Sequence, residues 1–158
     1  MSVTIFSHPK DLLEAKGTLL GPTEYITIDQ QRINQFAEAT GDHQWIHVDE
    51  ERAAKSDFGA TIAHGYLTLS LASFFLPQMM QVDNVTMGIN YGTNNVRFPA
   101  AVRVNSKLRG RGEIIEVDEA KGGIRSVVRI TIELEGSDRP ACVLDTISLS
   151  YSWANPNR

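Results

Sequence analysis

This sequence predicts an α+β domain in which an antiparallel sheet wraps around one long apolar helix. Two observations carry the prediction. Residues 62–79, IAHGYLTLSLASFFLPQM, are apolar around nearly the whole helical circumference, with Leu67, Leu71, Phe74, Phe75 and Met79 three or four positions apart. A helix that apolar must be enclosed by something broad. Downstream, residues 102–117, 124–134 and 142–150 alternate apolar and polar side chains, the period of an antiparallel strand with one wet face. An early strand, two helices, a buried helix and a run of strands then make an α+β chain.

The whole chain narrows the function classes. Its 158 residues fit one domain, 1–158, and 42% apolar content is enough for a core. The net charge of -4 and the lack of a basic stripe argue against nucleic acid as a partner. The single cysteine, Cys142, excludes an intrachain disulfide and a multi-cysteine metal site, and its strand pattern makes it a core residue. The N-terminal segment lacks the order of a signal peptide, and the longest apolar runs fall short of the ~20 residues of a membrane span. A cytoplasmic protein with no membrane partner is the expectation.

In chain order, residues 1–18 read as a short helix, with Pro9 in its first turn after Ser7 and Leu12, Leu13 and Ala15 as an apolar stripe. Leu19-Leu20-Gly21-Pro22 reads as a turn and Glu24–Ile28 as a strand. Asp29 caps the next helix, whose apolar face is Ile33, Phe36 and Ala37, and Gly41 ends it. Asp42–His47 has no regular period and reads as a loop pinned by Trp45 and Ile46. Asp49 caps a short helix over 50–55, and a second loop covers 56–60. Pro77 should end or bend the long helix. Residues 85–98 form one or two strand segments, while DEAKGG and EGSDRP are hairpin turns between the later strands. The tail WANPNR reads as a mobile end with Trp153 anchoring its start.

Residues 36–70 concentrate the reactive side chains: Asp42, His43, His47, Asp49 and His64. An imidazole can take or give a proton near neutral pH, and a carboxylate can orient it or act beside it. The loop from Asp42 to His47 allows both to face one small volume. Asp42 could equally cap local N–H groups, and His47 could be a structural residue. His64-Gly65 opens the apolar helix, where free backbone N–H groups can hold a developing oxyanion, and Gly65 lets a substrate approach closely. Ser70 could donate to a carbonyl of the substrate or merely to one a turn back in its own helix. His43, His47 and Asp49 match no strong zinc pattern. No G-x-S-x-G elbow, dinucleotide fingerprint or phosphate loop occurs.

Three segments resemble the MaoC-like, or (R)-specific enoyl-CoA hydratase, family of hot dog-fold proteins, in the branch that includes the NodN-like dehydratases. They are Phe36-Ala37-Glu38-Ala39-Thr40-Gly41-Asp42 with His47-Val48-Asp49, then Phe58-Gly59-Ala60-Thr61-Ile62-Ala63-His64-Gly65-Tyr66-Leu67, then NYGTNNVRFP at 90–99. The resemblance covers about 20–152. It implies a hot dog fold and reversible addition of water to trans-2-enoyl thioesters, giving (3R)-3-hydroxyacyl thioesters. It implies Asp42 and His47 as the catalytic pair, the Gly65 N–H and Ser70 as the thioester-oxygen site, and a helix-shaping role for His64. It further implies an acyl-CoA substrate, a homodimer, and no metal or redox cofactor, coenzyme A being part of the substrate. Arg97, Arg103, Lys107, Arg109 and Arg111 could attract a coenzyme A phosphate or simply form the wet face of strands. A hot dog thioesterase, or an acyl-thioester-binding protein without catalysis, are the rival expectations.

Overall fold

A computed structural model describes residues 3–153. The strands are β1 (Thr4–Phe6), β2 (Leu19–Leu20), β3 (Ile26–Ile28), β4 (Met80–Val82), β5 (Met87–Arg97), β6 (Ser106–Ala120), β7 (Gly123–Leu134) and β8 (Cys142–Tyr151). The helices are α1 (Gln30–Thr40), α2 (Trp45–Val48), α3 (Glu50–Ala54), α4 (Gly65–Ser70) and α5 (Ala72–Met79), with a 3-10 helix over Pro9–Glu14.

Six strands form one antiparallel sheet in the order β2-β6-β7-β8-β5, with β3 also paired to β6. β1 and β4 make a separate parallel pair. The long β6, β7 and β8 follow from their period-two pattern, which puts Leu108, Ile114, Val128, Ile130, Ile132 and Leu144 into the core. There they meet Leu67 of α4, Leu71 at the junction, and Phe75 and Met79 of α5. A sheet packed on one central helical segment is the hot dog arrangement, as the sequence led us to expect.

Local signals placed α1 and α3 correctly. The Asp29 carboxylate accepts from Arg32 N, and Gly41 closes α1 with a left-handed φ of 81°. Asp49 caps α3 in the same way through Arg52 N. Cys142 is buried, and burial pushes its thiol pKa up to about 11, which fits a core residue. Trp153 stacks on Tyr151 with ring centroids 4.8 Å apart, while residues 154–158 of the expected mobile tail lie outside the described residues.

Other expectations need correction. The expected short helix is a 3-10 helix, with Pro9 in its first turn as read but capped by His8, and β1 precedes it. Leu19–Leu20 is not a turn but a strand, because it pairs with Glu113 and Gly112 of β6. The segment 42–47 is not all loop, since Trp45–Val48 makes one helical turn. The long helix begins at Gly65, because Ile62 bridges Arg103 in extended conformation. Leu71, in right-handed helical conformation, links α4 to α5, and Pro77 sits inside α5, which runs on to Met79. The helix is not buried all round: Tyr66 is 71% and Phe74 46% exposed. Asp145, expected on a wet face, is buried because Arg129 and Asn95 both donate to its carboxylate. The Arg129 guanidinium, aided by the Asn95 amide, holds that carboxyl below the usual range against the opposing effect of burial.

Candidate active site

Three elements converge where α1 ends, α2 lies and α4 begins. Gly41 turns the chain out of α1 and delivers Asp42 to the start of the next turn. There its Oδ1 accepts from Gln44 N at 3.3 Å, so the capping reading of Asp42 holds in part. α2 carries His47, only 6% exposed, inward. Gln30, at the head of α1, braces this helix by donating to the His47 carbonyl oxygen, and its own amide oxygen accepts from the Thr61 hydroxyl.

The His47 ring is held by one bond. Its Nδ1 lies 2.7 Å from the carbonyl oxygen of Ile62. A carbonyl only accepts, so Nδ1 carries the hydrogen and Nε2 keeps a free lone pair. The His64 ring stacks on it, with centroids 3.9 Å apart and planes 23° from parallel. Ligand atoms of Asp42, His47 and His64 all lie within 4.8 Å of one another. These three are the residues that could hold a cation, a different set from the His43, His47 and Asp49 weighed in the sequence. His43 instead points to Glu38 at 3.6 Å, and the Asp49 carboxylate caps α3.

Burial is the largest influence on His47 and lowers its pKa below 6.5; the Ile62 hydrogen bond opposes it, nearby His64 lowers it further, and Asp42 opposes. The imidazole is therefore neutral at pH 7, with its basic nitrogen at Nε2. An NMR titration of the His47 ring should place its midpoint below the ordinary 6.5. A lowered histidine pKa also sets the sign of its effect on stability. Its contribution is intact above pH 6.5 and is lost as pH falls through the folded-state value.

His47 and Gly65 line a cleft of about 330 Å³ together with Ile46, Thr68, Phe98 and Ala141. The Phe98 ring presses on Gly65, where an added Cβ would stand 3.2 Å from it. The structure thus brings Asp42 to His47 and sets His47 and Gly65 on one cleft. It does not bring Ser70 to them within this chain. Ser70 lines a separate cleft of about 190 Å³ between α4–α5 and β5, beside Leu76, Asn90 and Thr93. Its hydroxyl donates to Tyr66 O at 2.7 Å, the bond one turn back. Thr68, buried and in the His47 cleft, was missed; its spacing of four from His64 was the available signal. Phe98 was missed because nothing local links it to Gly65. Of the basic residues, Arg109 and Arg111 are tied to Glu133 and so belong to the wet strand face.

A hot dog fold that carries a carboxylate and a neutral imidazole beside a helix start defines an acid/base site of the dehydratase class. Comparison with known proteins places it further: the family model described as MaoC like domain matches residues 14–136, and the chain belongs to that family. It is 48% identical over 143 residues to 3-hydroxyacyl-thioester dehydratase Z of Mycobacterium tuberculosis, covering 90% of this chain and 95% of that protein. It is 44% identical over 136 residues to Nodulation protein N of Rhizobium leguminosarum bv. viciae, covering 84% of each. The unliganded R-hydratase PhaJ1 of Pseudomonas aeruginosa shares the fold, with a TM-score of 0.71, 22% identity, and coverage of 93% of this chain and 88% of that one.

Proposed function

We propose that this chain is an (R)-specific enoyl-CoA hydratase acting reversibly as a 3-hydroxyacyl-thioester dehydratase. The observation that carries the reading is the free Nε2 lone pair of His47, beside Asp42 and in the same cleft as Gly65. In the hydration direction the pair takes a proton from water. The resulting hydroxide oxygen bonds to C3 of a trans-2-enoyl thioester, and the C2–C3 π electrons move toward the thioester carbonyl. The Gly65 N–H, at the start of α4, holds the enolate oxygen that forms. A proton returned from the pair to C2 completes a (3R)-3-hydroxyacyl thioester, and the pair ends in its starting protonation state. Coenzyme A enters as part of the substrate, and the steps require no metal or redox group.

Loss of the conjugated enoyl-thioester absorbance on adding purified protein tests this. Absence of turnover by folded protein across short, medium and long acyl chains would refute it, and release of free thiol instead would point to a thioesterase. The lowered pKa of His47 adds a pH signature: kcat/KM should hold through pH 7 and fall only on an acid limb below 6.5.

The family resemblance assigned Ser70 to the thioester oxygen. In this chain Ser70 lies in the other cleft, so Ser70→Ala should lower kcat by less than about tenfold, far less than a change at Asp42 or His47. A homodimer belongs to the same reading. The far edge of β5 is unpaired among the described residues, and ten of its eleven positions are exposed. An edge of that length invites pairing with a second copy, which would also close the Ser70 cleft. Light scattering at micromolar concentration should give twice the chain mass; a monomer there would overturn the dimer. A reducing cytoplasm suits the lone buried Cys142, and cell fractionation reads the location directly.

A further inference from the structure

The mechanism above uses Asp42, His47 and Gly65 and leaves His64 without a task. Yet His64 is 2% exposed and touches both members of the acid/base pair. Its Nε2 lies 3.0 Å from the carbonyl oxygen of Asp42, a bond between residues 22 apart in sequence. Since a carbonyl only accepts, Nε2 carries the ring hydrogen and donates it. Nδ1 is buried and has no partner among the described residues. A histidine kept only for packing ordinarily satisfies both nitrogens. Here one nitrogen is left unsatisfied while the other reaches the catalytic loop. The ring face meanwhile lies flat against His47, and Phe36 packs against it at 4.9 Å.

We propose that His64 is the positioning residue of the acid/base pair, holding the backbone of Asp42 and backing the ring of His47. The proposal rests on the hydratase reading for its kinetic consequences alone. Asp42 is exposed, and its carboxylate meets only the long 3.3 Å contact from Gln44 N, so its placement depends on its backbone. His64 grips that backbone from the rigid start of α4. His47 has the complementary problem. One hydrogen bond to Ile62 holds the ring at Nδ1 and leaves its plane to be set by packing. A second imidazole stacked at 3.9 Å sets that plane and with it the direction of Nε2. Both rings are thus anchored by a single N–H on a backbone carbonyl and by each other. The carboxylate and the basic nitrogen are fixed in one frame together with Gly65, the next residue in the chain.

Two substitutions separate the parts. His64→Phe keeps a stacking face and removes the donor, whereas His64→Gln keeps a donor within reach of the same carbonyl. We expect His64→Phe to lower kcat by about tenfold to a hundredfold with KM changed less than about threefold, and His64→Gln to recover part of that loss. A folded His64→Phe with kcat within about twofold of the parent would overturn the proposal. NMR supplies a readout that needs no turnover. In the parent protein the His64 ring should carry its proton on Nε2. In His64→Phe, backbone relaxation at Asp42 and His43 should show motion that the parent and His64→Gln lack. A parent His64 protonated on Nδ1 instead overturns the proposal even if no variant folds. Unchanged relaxation in a folded His64→Phe does the same. Relaxation as expected in a protein that turns over no enoyl thioester refutes the hydratase reading and leaves the positioning role standing.

Discussion

Asp42→Asn and His47→Gln should each cut kcat by about 10²–10⁴-fold and leave the protein folded. The two losses share a cause, because each variant removes one member of the proposed proton-transfer pair. Asparagine keeps the Oδ1 that accepts from Gln44 N, so the turn into α2 survives and only the titratable carboxylate is lost. Asp42 is exposed, and its removal leaves no buried group unpaired. Glutamine at 47 can still donate toward the Ile62 carbonyl but offers no basic nitrogen. Its stability cost should be about 1–3 kcal/mol, because the stack on His64 is lost and the buried amide brings polar atoms without partners. KM should change less than kcat in both, since the role proposed for each is proton transfer rather than grip on the acyl chain. Residues that act as a unit are not additive, so the double variant should be scarcely slower than the slower single one. The measurement is the enoyl-thioester absorbance assay paired with a thermal melt of each variant. If either folded single variant keeps more than about a tenth of the parental kcat, the pair is not the proton-transfer machinery.

Much of this arrangement was legible in the chain, and the rest was hidden for physical reasons. Caps are local signals, and Asp29, Gly41 and Asp49 stand where their chemistry put them. Period two is local as well, so β7 was found within one residue at its start. The pairing of Leu19–Leu20 with β6 joins residues some ninety positions apart, and no local pattern announces it. Asp145 misled for the same reason. Alternation assigned it to solvent, but Arg129 from β7 and Asn95 from β5 supply the partners that make its burial tolerable. At the site, spacing showed that Asp42 and His47 could meet. It did not show that His64, thought to shape the helix start, lies against both. Ser70 shows the opposite failure. Helical position places it almost two turns beyond His64, yet its bond to Tyr66 and its cleft beside β5 are facts of packing.

Phe75→Ala should lose about 3–5 kcal/mol, the cost of a large cavity in a core that cannot collapse around it. Phe75 is fully buried, and it sits where α5 crosses the sheet. The crossing is close because β6 has Gly110 there. A Cβ added at Gly110 would stand 2.6 Å from the Phe75 Cβ and 2.8 Å from its Cγ. The nearest atom is therefore one that alanine at 75 still carries. Gly110→Ala alone should cost about 1–3 kcal/mol through overpacking. The Phe75→Ala background should not rescue it, since removing the ring leaves the clashing Cβ in place. Neighbouring substitutions that merely traded volume would instead compensate one another. Urea midpoints of the two single variants and the double variant decide between these outcomes. Recovery in the double variant would mean that the ring, not the helix backbone, sets the spacing between helix and sheet. That spacing matters to the chemistry. α5 continues α4 through Leu71, and α4 begins at Gly65, so a helix pushed off β6 carries the proposed oxyanion site away from His47. Gly110→Ala should therefore lower kcat in protein that remains folded at the assay temperature, although Gly110 touches none of the reacting groups.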